Sequence, residues 1–234
     1  MRTGRKPAAI LFYILIAGIF IASTYLTSEV TDVIAHRIPL EREYTIVIDA
    51  GHGGEDGGAT SCTGVLESRI NLEIALKLND LLHLLGYDTR MIRTSDISVY
   101  SEGSTIAQKK VSDLKERVRM VNETENAVLI SIHQNVFSDP RYSGAQVFYG
   151  SSKDSRGLAE TVQTDFVRSL NPGSNRKSKV ADGVYLMERI QCPGILVECG
   201  FISNPHEEAL LRNDDYQNKL CCVIAASVGN YLDR

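Results

Sequence analysis

The stretch that decides the fold runs from Tyr44 to Ala59 and has the sequence YTIVIDAGHGGEDGGA. Residues 45–48 are β-branched and apolar, a pattern that predicts a buried strand. Glycines surround His52 after this run, and they let the backbone turn sharply beside its side chain. A strand that opens into a glycine-rich loop is typical of a site at the C-terminal edge of an α/β sheet. A surface turn with an incidental histidine explains the stretch equally well.

The rest of the chain alternates between helical and strand patterns. Apolar residues at helical spacing predict helices at 67–85, 107–121, 159–170, 205–211 and 216–231. Short buried runs predict strands at 87–92, 127–132, 145–149 and 194–197, and polar residues predict loops at 95–104 and 171–182. Strands separated by helices predict an α/β fold, a single domain with a central, mostly parallel β-sheet flanked by helices.

The N-terminus carries a hydrophobic segment. Arg2, Arg5 and Lys6 precede an uncharged run of about 20 apolar residues, a length that fits a membrane-spanning segment or a long signal peptide. No clean A-x-A cleavage site follows, so an uncleaved anchor is favoured, with the body of the protein outside the cytoplasm. We therefore expect an anchor or signal peptide at 1–28, a linker at 29–43 and a folded domain at 44–234.

Composition excludes some classes of protein. The 234 residues carry a formal charge of −4, which gives no reason to expect nucleic acid as a partner. The five cysteines are odd in number and form no CxxC pair, so they do not indicate a disulfide framework. We expect all five to be small buried hydrophobic residues.

Side chains that can bind a metal or move a proton follow three of the predicted strands. His52, His133 and Glu198 lie at strand ends, and Glu67 lies where the first helix begins. Because the C-terminal ends of parallel strands meet at one edge of a sheet, these four side chains can converge there. Two histidines and one carboxylate are the ligands of many hydrolytic zinc sites, and a further carboxylate can act as a base toward water.

Each of these residues also has a purely structural explanation. His52 could be a turn residue, Glu67 a first-turn acid favoured by the helix dipole, and His133 a histidine satisfied in the core. Glu198 is harder to explain in this way, since it closes a buried apolar run where a carboxylate needs a partner or a metal. Cys199 could be a nucleophile, but no Cys-His arrangement adjoins it in the sequence.

Four blocks of sequence resemble the zinc-dependent N-acetylmuramoyl-L-alanine amidases. They are IVIDAGHGGEDGGA at 46–59, Glu67 with Asn71, SIHQN at 131–135 and VECGFISNPHE at 197–207. The resemblance implies one zinc ion held by His52, Glu67 and His133, with Glu198 as the catalytic acid–base. It also implies the α/β fold expected above, with 44–234 as the catalytic domain.

The compact domain and the apolar N-terminus resemble the sporulation-specific branch of that family. The resemblance implies hydrolysis of the amide between the lactyl group of N-acetylmuramic acid and L-alanine in spore-cortex peptidoglycan, ahead of muramic-δ-lactam formation. The implied partners are peptidoglycan strands with stem peptides, the membrane and a separate activator protein. The implied location is outside the cytoplasm, in the space between the forespore membranes.

Two alternatives to this activity stay open at the level of sequence. One is a zinc peptidase that cuts within the stem peptide, which would use the same ligands and the same chemistry on a different bond. The other is a wall-binding module without catalysis, which the presence of all four site residues disfavours.

Overall fold

The computed structural model describes residues 43–233, and the structural statements below refer to that part of the chain. The predicted anchor at 1–28 and all but the last residue of the predicted linker lie outside the described residues. Within 43–233, no helix is both long and apolar enough to cross a membrane.

Strands and helices follow one another along the described chain. The strands are β1 (Thr45–Ala50), β2 (Asp88–Met91), β3 (Ala127–Asn135), β4 (Gln146–Tyr149), β5 (Lys179–Val180) and β6 (Gly194–Phe201). The helices are α1 (Glu67–Leu84), α2 (Ile106–Asn122), α3 (Ser155–Ser169), α4 (Tyr185–Arg189), α5 (Pro205–Leu211) and α6 (Asp214–Leu232). Each predicted helix and strand is present within a few residues of its predicted position.

The strands form one six-stranded sheet in the order β2-β1-β3-β6-β4-β5. The pairs β1–β2, β1–β3, β3–β6 and β4–β5 are parallel, and the β4–β6 pair is antiparallel. This arrangement confirms the prediction of an α/β domain with a mostly parallel sheet. The reversal of β4 follows from its connection, since residues 136–145 return the chain from β3 at the same edge without a crossover helix.

Helices cover both faces of the sheet. On one face α1, α3 and α6 pack against alternate residues of the central strands, including Ile46 and Ile48 of β1. On the other face α2 and α4 pack against the strand residues that alternate with the first set, including Val47 and Leu129. The near-continuous apolar runs of β1 and β3 are thereby explained, because both faces of these strands are buried.

Three features differ from the sequence prediction. β6 continues to Phe201, so Glu198 lies within the strand and not at its end, and β3 likewise continues past His133. The two strands extend because their terminal residues pair with each other and so satisfy their backbone N–H and C=O groups. A side-chain pattern gives no sign of this pairing. The two-residue β5 and the short α4 were not predicted, since neither is long enough to show a period.

The prediction of five buried cysteines was wrong for Cys62 and Cys222, which are exposed. Cys222 adjoins buried Cys221 on α6, and successive helical residues point in directions about 100° apart, so one of the two faces solvent. Cys199 is buried as predicted, and Cys192 is partly buried.

Candidate active site

The four candidate residues converge at the C-terminal edge of the sheet. His133 and Glu198 are register partners on the neighbouring parallel strands β3 and β6, so their side chains leave the same face at the same level. His52 lies two residues beyond the end of β1, which is the other neighbour of β3. Glu67 is the first residue of α1, where the helix dipole favours a carboxylate.

His52, Glu67 and His133 face one another closely enough to bind one metal ion. Their candidate ligand atoms all lie within 4.8 Å of one another. His52 Nε2 lies 3.3 Å from Glu67 Oε2, and His133 Nδ1 lies 3.0 Å from Glu67 Oε1. Two imidazole nitrogens and a carboxylate oxygen are ligands that zinc takes, and the observed separations are comparable with the about 3.3–3.6 Å between the ligand atoms of a tetrahedral zinc ion.

The carboxylate of Glu67 is fixed by neutral donors around it. The backbone N–H of Ala59 donates to Oε2 at 3.0 Å, and the backbone N–H of Gln134 donates to Oε1 at 3.1 Å. Asn71 Nδ2 donates to Oε1 at 3.2 Å. The two histidines hold the pKa of Glu67 well below its ordinary range although burial opposes this shift. The group is therefore a fixed negative charge suited to a cation.

The backbone around His52 is shaped by its close approach to the other two candidate ligands, Glu67 and His133. His52 itself has a φ of 60°, a left-handed conformation that residues with a side chain seldom adopt. A Cβ at Gly51 would lie 2.2 Å from the ring of His133. A Cβ at Gly58, where φ is +68°, would lie 2.7 Å from Glu67 Oε2. The glycines of this loop therefore leave room for the ligands.

A hydrogen-bonded chain runs from α2 to the ring of His52. Asp56 Oδ2 lies 2.9 Å from His52 Nδ1, and Lys110 Nζ of α2 lies 3.0 Å from Asp56 Oδ1. Burial would lower the pKa of His52, but Glu67 and Asp56 together raise it to about 9. Asp56 engages Nδ1, so Nε2 is the nitrogen that faces Glu67 and His133.

Two buried arginines hold the carbonyl groups of the loop. Arg93 donates to the carbonyl oxygens of Ala50 at 2.8 Å and Gly51 at 3.1 Å. Arg117 of α2 donates to the carbonyl oxygen of His52 at 2.7 Å and forms a buried ion pair with Asp49. The two arginines thereby provide hydrogen-bond partners for carbonyl oxygens at the end of β1 and in the loop that follows it.

Glu198 differs from the other three residues because it has no partner at one oxygen. Among the described residues, its Oε2 is buried without a hydrogen bond. Burial raises the pKa of Glu198 to about 7, and the neighbouring carboxylate of Glu67 adds to the rise. A carboxyl group near its pKa at neutral pH can both accept and donate a proton.

The other three histidines of the chain and Cys199 have weaker claims to a role at the site. His83 bonds Thr89 at the far end of α1, His206 is exposed at the start of α5, and His36 is outside the described residues. Cys199 is fully buried, and burial raises the pKa of its thiol well above its ordinary value, which opposes a role as nucleophile.

Sequence reasoning missed the residues that support the site: Asp49, Asp56, Arg93, Lys110 and Arg117. One signal could have found Asp49, since a carboxylate at the end of a buried apolar run needs a charged or hydrogen-bonding partner. The arginines and Lys110 carry no such signal, because charged residues on a helix or after a strand are usually solvated.

Comparison with known families matches residues 46–230 to the family described as N-acetylmuramoyl-L-alanine amidase. The germination-specific N-acetylmuramoyl-L-alanine amidase of Bacillus subtilis is 38% identical over 189 residues, which cover 80% of this chain and 79% of that protein. The amidase AmiA of Escherichia coli is 27% identical over 231 residues, which cover 80% of this chain and 75% of that protein.

Solved structures show the same likeness. The CwlD amidase of Clostridioides difficile, solved in complex with the GerS lipoprotein, superposes with a TM-score of 0.77 at 37% identity over 81% of this chain and 98% of that one. An N-acetylmuramoyl-L-alanine amidase of Clostridium difficile 630 superposes with a TM-score of 0.71 at 32% identity, over 82% of this chain and 98% of that one.

Proposed function

Because the chain belongs to the N-acetylmuramoyl-L-alanine amidase family, we propose that it hydrolyses its amide substrate with a zinc ion held by His52, Glu67 and His133 and with Glu198 as the acid–base. The observation that carries this assignment is the register pairing of His133 with Glu198. It puts a carboxylate with a free oxygen next to three side chains spaced as zinc ligands.

The chemistry divides between the metal and Glu198. Zinc, when bound, is a Lewis acid that makes water more acidic and polarises a carbonyl group. Glu198 Oε2 is placed to accept the proton of water as the oxygen adds to the amide carbonyl carbon. The same carboxyl group then gives that proton to the departing nitrogen of L-alanine as the C–N bond breaks. Burial raises the pKa of Glu198 to about 7, a direction that favours return of the proton to the departing nitrogen.

The substrate is peptidoglycan and, more narrowly, the peptidoglycan of the spore cortex. The likeness to the germination-specific amidase of Bacillus subtilis and to the CwlD amidase supports this assignment. Removal of the stem peptide exposes the muramic acid lactyl carboxyl group, which is the group that muramic-δ-lactam formation requires. We place the reaction before that step.

The same relatives suggest where the enzyme works and what controls it. The CwlD structure contains a lipoprotein partner, which supports control of this chain by a separate protein outside the cytoplasm. An anchor at 1–28 would hold the domain at a membrane surface next to the wall. In a sporulating cell that surface borders the space in which cortex is made.

Substitutions separate metal binding from proton transfer. His133→Ala should lose most of the zinc, since three protein ligands leave no substitute, whereas Glu198→Gln should keep zinc and stability. Peptide release by Glu198→Gln should fall about 10²–10⁴-fold, the usual contribution of a general base. Zinc content and peptide release from peptidoglycan are measured on the same preparations, with any required partner protein supplied.

His83→Ala is the matched control, because this histidine lies at the opposite end of α1, and it should keep both zinc and activity. Loss of zinc from Glu198→Gln would make Glu198 a ligand, and activity within a few fold of the parent would exclude it as the proton carrier. Mass analysis of the products identifies the bond that is cut. A cut inside the stem peptide would indicate a peptidase.

A further inference from the structure

The loop between β3 and β4 presents aromatic rings at the edge of the sheet that carries the site. Residues 136–144 leave β3 after Asn135 and enter the antiparallel β4 at the same edge, so the whole loop lies there. Phe137 is four residues beyond His133, which limits their separation along the chain to about 13–14 Å. Phe201, three residues beyond Glu198, pairs with Asn135 at the base of the loop.

Two exposed aromatic residues define a surface that we call the aromatic shelf. Phe137 is 47% exposed, Tyr142 is 48% exposed, and their ring centroids are 4.4 Å apart. No other aromatic residue appears among the exposed large hydrophobic side chains of residues 43–233. The buried ring of Phe201 supports Tyr142 from below at 6.2 Å. Exposed rings that contact each other beside a site indicate a binding surface.

The shelf is held in place by hydrogen bonds from below. Ser203 Oγ accepts from the backbone N–H of Phe137 at 3.0 Å, and Asn204 Nδ2 donates to the carbonyl oxygen of Tyr142 at 3.2 Å. Arg176 donates to the carbonyl oxygen of Ser143 at 2.8 Å. These bonds hold the backbone that carries both rings, which lowers the cost of ordering the loop when a ligand binds.

The cationic groups in contact with the shelf are already engaged. Arg141 forms an ion pair at 2.6 Å with Asp139, two residues before it in the loop. Arg176 lies over the ring of Phe201 at 5.2 Å and donates to Ser143 and to Gln146 Oε1. Asp139 balances the charge of Arg141, and Arg176 directs its N–H groups to the carbonyl oxygen of Ser143 and the amide oxygen of Gln146, so these arginines offer few donors to an acidic stem peptide. A neutral ligand with an apolar face fits the shelf better.

We propose that the aromatic shelf binds a sugar ring of the glycan strand next to the muramic acid whose amide is cut, an inference that rests on the proposed function. One face of an N-acetylated pyranose carries C–H groups that pack on an aromatic ring, while its hydroxyl groups remain at the polar rim. The shelf would therefore select extended glycan over a single muropeptide. It would act on substrate binding and leave the proton transfer at Glu198 unchanged.

The test compares two substrates with zinc-loaded full-length protein. Phe137→Ala and Tyr142→Ala should each raise KM for glycan strands that carry stem peptides about tenfold, with kcat within about twofold. Both variants should hydrolyse a single N-acetylmuramoyl peptide as the parent does. Sedimentation with peptide-free glycan strands should show weaker binding by the same two variants.

Three further variants sharpen the result. Tyr142→Phe keeps the ring and should behave as the parent, whereas Phe137→Leu keeps apolar area without a flat ring and should resemble Phe137→Ala. Leu84→Ala removes a highly exposed apolar side chain at the far end of α1 and should change nothing.

Unchanged KM for strands in both alanine variants would overturn the proposal. An equal loss on the single muropeptide would overturn it too, because the rings would then contact the stem peptide or support His133. If the parent cuts neither substrate, the proposed function fails, but the sedimentation result still decides whether the shelf binds glycan.

Discussion

His52 carries an unusual backbone for its residue type. Its left-handed φ of 60° costs conformational energy that neighbouring contacts must offset, and these contacts come from Asp56 at the ring and Arg117 at the carbonyl oxygen. Both supporting groups are linked to α2, since Arg117 lies on it and Lys110 reaches Asp56 from it. The orientation of one proposed metal ligand thus depends on contacts from α2.

We expect this dependence to appear as a change in zinc affinity. Asp56→Ala should weaken zinc binding about 10–100-fold, the usual effect of removing the partner of a ligating histidine, and Lys110→Met should weaken it by a smaller factor. Competition with a chromophoric chelator measures both. The changes should appear in the dissociation constant for zinc whether or not substrate is present.

Lys109→Met is the matched control for Lys110→Met. Lys109 is the preceding residue of α2 and pairs at 2.7 Å with Glu55, a loop residue next to Asp56 that contacts no candidate ligand. Its substitution should leave zinc affinity unchanged. Equal weakening by the two lysine variants would mean that α2 supports the loop as a whole and not through Asp56.

At this scale the sequence revealed the residues whose surroundings were unusual. His52 stood out among glycines, and Glu198 stood out at the end of an apolar run. The roles of Lys110 and Arg117 could not be found, because their partners at the site, Asp56 for Lys110 and Asp49 for Arg117, are more than 50 residues away and nothing in a helical pattern reports such contacts. Which side chains face each other depended on strand register.

The elements were easier to predict than their limits. Apolar periods located α1 and β3 because tertiary burial is what creates those periods. The ends of β3 and β6 were missed because backbone pairing continues past the residues that interrupt each apolar run, His133 in β3 and Glu198 in β6. The antiparallel β4 was implicit in the short connection after β3, which has no room for a crossover helix.

The contact between β1 and α2 should control stability in acid. Asp49 and Arg117 form a buried ion pair, and Ser131 donates to Asp49 at 2.6 Å. Burial opposes the charge on Asp49, but Arg117 and Ser131 lower its pKa below the ordinary value. The pair therefore stabilises the fold above the unfolded pKa of about 3.9, and its contribution is lost as pH falls through the lower folded pKa.

Asp49→Asn should lower the free energy of unfolding at pH 7 by less than the about 3–5 kcal/mol lost when a buried charge has no partner at all, because Asp113 still pairs with Arg117 at 2.6 Å. Urea unfolding between pH 7 and pH 2 should show this difference shrinking below about pH 4. Glu160→Gln breaks an exposed ion pair with Arg156 and should cost less than about 1 kcal/mol. A constant difference down to pH 2 would contradict the assignment.

At the scale of the whole molecule, the fold class followed from the alternation of elements, whereas the strand order did not. Periodicity gives no information on which strands are neighbours, so the position of β6 between β3 and β4 is known only from the structure. That position is what brings Glu198 next to His133.

The predicted anchor has a consequence for the full-length protein. If residues 8–26 span a membrane, the protein should stay in the membrane fraction after a high-salt wash, because salt removes peripheral charge contacts but not a buried apolar segment. A chain that begins at Glu29 should be soluble and keep its fold. A mature N-terminus between residues 20 and 35 would instead indicate a cleaved signal peptide.

The central place of β6, a strand that comes late in the chain, also determines the order in which the site residues come together during synthesis. All three candidate zinc ligands are complete by residue 133, whereas Glu198 arrives about 65 residues later on a strand that must pair on both sides. A nascent chain that has already formed β1, β2, β3 and α1 still lacks Glu198, the proposed acid–base. With the acid–base role proposed for Glu198, hydrolysis requires that β6, the last strand of the chain, has paired with β3.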